Sequence, residues 1–350
     1  MEPRWKQLKN DAQLRKNLEL RAKTIAAVRA FFDARGYLEV ETPLVVAKPG
    51  MEPHLEPFQT TVRDPFGNAS EAFLITSPEY AMKKLLVAGF PKIYQLAKCF
   101  RNGEAFEGRH NPEFTMLEWY RTETDYRGIM DETEALVKET AERVLGTKVL
   151  SWRGETLDLG QPWERLTVAE AMRRHADVDL DAALSDKKIL LDVAARLGHA
   201  LPAETAWDDA FFSVFLNAVE PQLGKKVPTF LYDYPVSMAA LSKPSARDPR
   251  YAERFELYIG GLELANAFTE LTDAKEQRKR LEEERALRQQ LGRIDYAPDE
   301  DFLAALEAGM PASGGIALGI DRLVMLLAGE EDIRRVLAFP AGVMFQDKKA

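Results

Sequence analysis

Two apolar runs joined by a polar loop mark the centre of the chain. Residues 92–100, KIYQLAKCF, gather Ile93, Tyr94, Leu96 and Phe100 and predict a buried strand. Residues 113–120 alternate Phe114, Met116, Glu118 and Tyr120 against Glu113, Thr115, Leu117 and Trp119, which predicts a second strand running back. Side chains alternate along a strand, so the even-numbered four share a face. That face carries a ring, a carboxylate and a phenol, which suits a pocket floor better than a core. A hairpin with its charges in solvent accounts for each residue singly. An arginine such as Arg101, set against a stackable ring and a carboxylate, is instead a set that can hold a phosphate, a purine and an ammonium.

The same patterning predicts the flanking elements. A helix begins near Leu18, with Ile25, Val28, Phe31 and Phe32 on one face, and ends near Gly36; residues 37–43 alternate as a strand stopped by Pro43. Residues 58–62 and 73–75 read as a hairpin around Asp64-Pro-Phe-Gly67. Ser77-Pro78-Glu79 opens a helix, and capping alone explains Glu79 there, where the helix dipole favours a carboxylate. Asp131 to Glu134 has capping-box spacing and predicts a helix start, running to Leu145 and closed by Gly146. Thr167 and Glu170 repeat that spacing, residues 171–226 are mainly helical, and residues 229–234 return as a strand. Residues 275–290 form a solvated helix with Glu276 four places before Arg280.

Residues 255–270, FELYIGGLELANAFTE, predict two strands turning at Gly260-Gly261, a register that pairs Ile259 with Leu262 and Tyr258 with Glu263. Glu256 and Glu263 then share a face as diagonal neighbours. They form either a solvated acidic edge or, with phosphates nearby, a magnesium site.

Length and charge narrow the class. The 350 residues can bury a large core, and the net charge of −9, from 47 basic and 56 acidic side chains, gives no global positive field for nucleic acid. Cys99, the single cysteine, excludes an intrachain disulfide and a cysteine-based zinc site and fits a reducing cytoplasm. Neither a signal peptide nor an apolar run of membrane-spanning length is present, so no membrane role and a cytoplasmic location are expected.

FRNGE…RHNPEFTMLEWY resembles the second signature motif of class II aminoacyl-tRNA synthetases of the lysyl subgroup, and the likeness extends over most of the chain. Residues 18–43 are similar to the first motif, which in that family builds a homodimer interface. GGIALGIDRLVMLLAG, residues 314–329, resembles the third. The resemblance implies an α+β fold, a mostly antiparallel sheet flanked by helices. It also implies an organisation of polar tail 1–17, catalytic domain 18–340 with a helical insertion near 171–226, and tail 341–350. It implies ATP and magnesium as co-substrate and metal. Arg101 and Arg322 become the catalytic pair; Arg101, Glu104, Arg109, His110, Asn111, Phe114, Glu256, Glu263, Gly319 and Arg322 would hold ATP, and Glu256 and Glu263 the metal. Ser77, Glu79, Glu118, Tyr120, Asn266, Glu270 and Ala317 would hold the amino acid, Glu79 taking the α-ammonium and Glu118, Tyr120 and Glu270 a distal one. The loop before His110 is about one residue longer than in relatives, with Gly103 preceding Glu104.

Lysyl-tRNA synthetases of this kind carry an N-terminal anticodon-binding domain of about 100 residues or more, and none is expected here. Ser77 and Ala317 stand where the tRNA enzymes usually have alanine and glycine. Both features resemble a truncated branch of the family that loads (R)-β-lysine or lysine onto a lysine of elongation factor P, which makes tRNA an unlikely partner. Two other readings stay open: an enzyme without an anticodon domain that charges tRNA or a small amine, and a non-catalytic amino-acid-binding protein.

Overall fold

The computed structural model describes residues 2–239 and 241–345. In chain order the strands are β1 (Leu38–Glu39), β2 (Val45–Val46), β3 (Gln59–Arg63), β4 (Ala69–Leu74), β5 (Lys92–Phe100), β6 (Glu113–Thr122), β7 (Val149–Trp152), β8 (Glu155–Asp158), β9 (Glu164–Thr167), β10 (Thr229–Pro235), β11 (Tyr251–Ile259), β12 (Leu262–Thr269) and β13 (Ser313–Gly319). Eight of them form one sheet in the order β1-β5-β6-β13-β12-β11-β10-β9. The central pairings from β5 to β10 are antiparallel, and the outermost, β1 on β5 and β9 on β10, are parallel.

One face of this sheet is apolar and closed. Leu117, Trp119, Phe255, Leu257, Ala265, Ala267, Ile316 and Leu318 point into it and meet three helices, α2 (Ala12–Asp33), α4 (Tyr126–Leu145) and α11 (Ile320–Ala328). The other face is shared by two groups of helices. The insertion, α5 (Val168–Ala176), α6 (Leu180–Ala183), α7 (Lys188–Arg196) and α8 (Trp207–Val214), packs a core of its own against Leu166, Leu231, Tyr234 and Tyr258. At the opposite end α3 (Glu79–Val87), α9 (Ala274–Gln290) and α10 (Glu300–Gly309) cover Ile93, Tyr120 and Phe268. Between these groups the sheet stays open as the floor of a cavity of about 980 Å³.

Several expectations are corrected. The polar tail is helical at α1 (Arg4–Asn10), and α2 starts at Ala12 rather than Leu18 because the Asp11 carboxylate caps it. Its polar residues have distant partners: Arg4 donates to the carbonyls of Arg334, Leu337 and Ala338, and buried Asn17 donates to Glu330 and the Arg335 carbonyl. The expected strand at 37–43 pairs only at Leu38 and Glu39. α4 begins five residues before Asp131, since Asp125 accepts from the Arg127 and Gly128 amides and buried Ile129 and Met130 need a helical first turn. Ala341–Met344, in the expected C-terminal tail, is the short helix α12, with Ala341 buried; residues 346–350 of that tail lie outside the described residues. Among the described residues no helix is long and apolar enough to cross a membrane.

α9 is less solvated than its charge run suggests, because Leu281, Gln277 and Arg288 are buried. Arg288, fully buried, donates to the carbonyls of Glu52, Leu55 and Ile294 and so fixes the loop along one rim of the cavity. Replacing it by methionine (R288M) strands those carbonyls in a dry site. The expected loss is about 3 kcal/mol of stability, read as a lowered midpoint of urea unfolding; an unchanged midpoint refutes the assignment.

Candidate active site

Register across the sheet sets out the cavity floor. Glu118 on β6 lies opposite Ala317 on β13, Ala317 opposite Asn266 on β12, and Asn266 opposite Glu256 on β11. Directly opposed residues share a face, so these four form one row. The next row is Tyr120, Gly315, Phe268 and Arg254. With strands about 4.8 Å apart, Glu118 and Glu256 are about 14 Å apart across three spacings. A register shift between Leu257 and Tyr258 separates Glu256 from the simple diagonal with Glu263, while Tyr258–Glu263 and Ile259–Leu262 pair as the turn predicts.

One end of the row is acidic and dry. Ser77 Oγ accepts from the Glu79 amide at 3.0 Å and donates to Glu118 Oε1 at 2.6 Å; Tyr120 donates to Glu118 Oε2 at 3.0 Å. Burial, and next the neighbouring Glu79, push the Glu118 carboxyl up to about 8. Lys83, four residues after Glu79 on α3, places Nζ 2.6 Å from Glu79 and 2.5 Å from Glu270, with its side chain 1% exposed. Burial raises Glu270 to about 7 against the pull of Lys83. Glu270 Oε1 is buried with no hydrogen-bond donor among the described residues.

Away from this acidic end the cavity walls carry arginines. Arg101 lies over the Phe114 ring, 5.0 Å from its centroid, and its buried Nε has no acceptor among the described residues. Arg322 donates to the Glu263 carbonyl at 2.8 Å and stands 3.5 Å from its carboxylate; Arg109 donates to the Gly261 carbonyl at 3.1 Å. Glu104 and His110 pair at 2.7 Å, which lowers the Glu104 carboxyl. Glu256 accepts from Arg254, Tyr234 and Tyr258, each at 2.6 Å. Glu263 is pushed up first by enclosure and then by Glu256, with Arg322 opposing.

This donor set fits magnesium only as a shared ion. Among the described residues no three acidic, His or Cys side chains are grouped to enclose a metal. Glu256 Oε2 already takes two hydroxyls, but its Oε1 keeps a lone pair, and Glu263 holds only the long Arg322 contact. Two such oxygens with phosphate oxygens completing the shell is the usual arrangement for this ion.

The sequence model of tRNA synthetases class II (D, K and N) matches residues 1–342. The chain belongs to the class II tRNA synthetases. It is 45% identical over 328 residues to an elongation factor P–(R)-β-lysine ligase of Proteus mirabilis (strain HI4320), covering 93% of this chain and 94% of that one. A protein of the same name from Klebsiella pneumoniae (strain 342) is 44% identical over 327 residues, covering 92% and 94%. A lysine–tRNA ligase of Magnetococcus marinus is 41% identical over 335 residues, 94% of this chain but 64% of that protein.

Within this synthetase fold the cavity collects the expected residues Ser77, Glu79, Arg101, Glu104, Arg109, His110, Asn111, Phe114, Glu118, Tyr120, Glu256, Glu263, Asn266, Glu270, Ala317, Gly319 and Arg322 along its walls. Two behave differently from the expectation. Asn111 gives its amide to the Glu113 carbonyl and accepts from the Ala341 amide, so it also ties down the loop it stands on. Glu256 is paired first with Arg254, whose Nε also donates to Asn266 Oδ1. Arg254 and Lys83 were missed, although positions two before Glu256 on a strand and four after Glu79 on a helix face their partners. Buried Asp321 was missed too; it pairs with Arg21 and accepts from the Thr115 amide, bracing β6 beside Arg322. Glu52 and Glu284 also line the cavity, each carboxyl raised by burial.

Gly315 carries a test of the acidic end. A Cβ there would stand 2.3 Å from both Glu270 Oε1 and the Tyr120 ring. In Gly315→Ala both must give way, and the expected result is at least about a tenfold rise in amino-acid KM, the cost of roughly 1.4 kcal/mol of lost fit. A wild-type KM refutes it.

Proposed function

We propose that the chain is an ATP-dependent ligase that adenylates (R)-β-lysine or lysine and passes the acyl group to a lysine side chain of elongation factor P. The observation that carries this reading is the buried acidic end, where Glu79, Glu118 and Glu270 face one internal cation among the described residues, Lys83. A neutral side chain would leave Glu118 with hydroxyl partners alone, a cost of several kcal/mol when ionised. A second ammonium on the ligand removes it. The names borne by the Proteus and Klebsiella relatives support the same choice.

The first step joins a substrate carboxylate oxygen to the α-phosphorus of ATP and expels pyrophosphate. The carboxylate is ionised at neutral pH, so no base is required; the demand is to bring two anions together. Arg101, with an unused donor, would bridge carboxylate and α-phosphate, Arg322 and Arg109 would hold the phosphate tail, and Phe114 would stack on the base. Asn266, held by Arg254, would present its amide to the substrate carboxylate. Glu263 and Glu256 would hold a magnesium ion, which neutralises triphosphate charge when bound. In the second step the acceptor amine bonds to the acyl carbon, AMP departs, and the amine proton is released. The reading includes a cytoplasmic location and a homodimer at the β1 edge, where Leu38 is 50% exposed.

A second reading, charging of tRNA, rests on the 41% identity with the Magnetococcus lysine–tRNA ligase. ATP–pyrophosphate exchange with (R)-β-lysine, lysine and norleucine, followed by transfer of label, separates the two. Label on elongation factor P is expected; label on tRNA selects the alternative, and no exchange removes both.

The raised carboxyls predict a pH dependence. Glu118, near 8, holds a proton below that value and must release it to receive an ammonium; burial pushes the Glu270 carboxyl up as well, with Lys83 opposing. Affinity for lysine should therefore rise with pH, by about tenfold per unit for each proton released, and level off above pH 8. Norleucine binding should stay flat. Calorimetry in buffers of different ionisation heat reads the released protons; proton uptake instead of release contradicts the scheme.

A further inference from the structure

The fully buried ion pair between α3 and the sheet makes and breaks no bond in the steps above, yet it sets the charge of the acidic end. Lys83 Nζ is 2.6 Å from Glu79 Oε1 and 2.5 Å from Glu270 Oε2, with Lys83 and Glu270 side chains 1% and 0% exposed. An ammonium so enclosed is stable only against paired carboxylates. Each of those acids keeps one oxygen outside the pair, and Glu270 Oε1 has no donor. Glu118, reached by the hydroxyls of Ser77 and Tyr120, has no cation within salt-bridge distance among the described residues. These three carboxylates and one ammonium leave two negative charges when all are ionised; Glu52 and Glu284 line the cavity beside them, and burial favours their neutral forms.

We propose that Lys83 is a specificity-determining residue: a built-in ammonium that turns the free oxygens of Glu79 and Glu270 toward the cavity and trims its charge to match a ligand with two ammonium groups. This rests on the functional reading above. Without Lys83 the three acids would repel one another and take up protons, and a doubly cationic ligand would have to displace them. With Lys83 already in place, the ligand brings the other two ammonium groups and one carboxylate serves each of the three. The distal group falls to Glu118 and the open side of Glu270, and the proximal one to Glu79.

The test compares Lys83→Met, Glu270→Gln and the double variant in the full chain. KM and kcat are read in pyrophosphate exchange with lysine and norleucine across pH, and melting temperature checks the fold. Lys83→Met should raise the lysine KM about tenfold or more at pH 7.5 and move its pH dependence up by about one unit, with a smaller change in kcat. Glu270→Gln leaves one residual charge; adding Lys83→Met restores two. The double variant should then bind lysine more tightly than Glu270→Gln alone, a comparison that holds even where Lys83→Met does not fold. Weaker lysine binding by the double variant than by Glu270→Gln, or a wild-type pH profile and lysine-to-norleucine ratio in Lys83→Met, overturns the proposal. The functional reading is judged separately on the wild type: exchange with lysine but no label on elongation factor P sinks that acceptor and leaves these ratios to decide on Lys83.

Discussion

The alternation of side chains across the central antiparallel strands is the constraint on which the site depends. On β6, β13, β12 and β11 one set of positions fills a closed apolar layer and the other set floors the cavity. A slip of one residue would put Trp119, Ile316 and Leu257 into the cavity and Glu118, Ala317 and Glu256 into the core. The apolar face is thus what fixes where the charges stand. Catalytic geometry here is a by-product of register, and register is held by the burial of residues that never meet a ligand.

A floor so charged needs internal partners, and each carboxylate has a different one. Glu256 is held by Arg254 and two phenols, Glu263 is loosely held by Arg322, and Glu118 has hydroxyl partners only among the described residues. Hydroxyls orient a carboxylate without cancelling its charge, so burial raises Glu118. The two acids of one row therefore differ in kind: one is fixed in place, the other waits for a cation.

Much of this was legible in the sequence, and the remainder fails for physical reasons. β5, the even-numbered face of β6 and the Gly260-Gly261 turn follow from local periodicity, which the tertiary structure does not override. Family likeness located the acids and arginines but not who pairs with whom. Lys83 read as an ordinary helix lysine because its second partner, Glu270, is remote in sequence. The N-terminal helix looked like a tail because its anchors are carbonyls more than 300 residues away. The capping box at Asp131 failed because Asp125, a better-placed cap, had already begun the helix.

The two ends of the cavity share one further property. Among the described residues, Glu270 Oε1 at the acidic end is a buried acceptor without a donor, and Arg101 Nε at the basic end is a buried donor without an acceptor. Each such group costs about 1–3 kcal/mol while unmet. A ligand that ends in an ammonium alone satisfies the first, and a nucleotide alone satisfies the second. A molecule with ammonium groups at one end and a carboxylate joined to phosphate at the other meets both at once. Such a molecule is an aminoacyl adenylate, and its two ends share a rigid sheet, so the better it bridges them the more of that cost it removes. Under the proposed function, complementarity is greatest for the intermediate and not for either substrate, which is what an enzyme that must first make and then retain an adenylate requires.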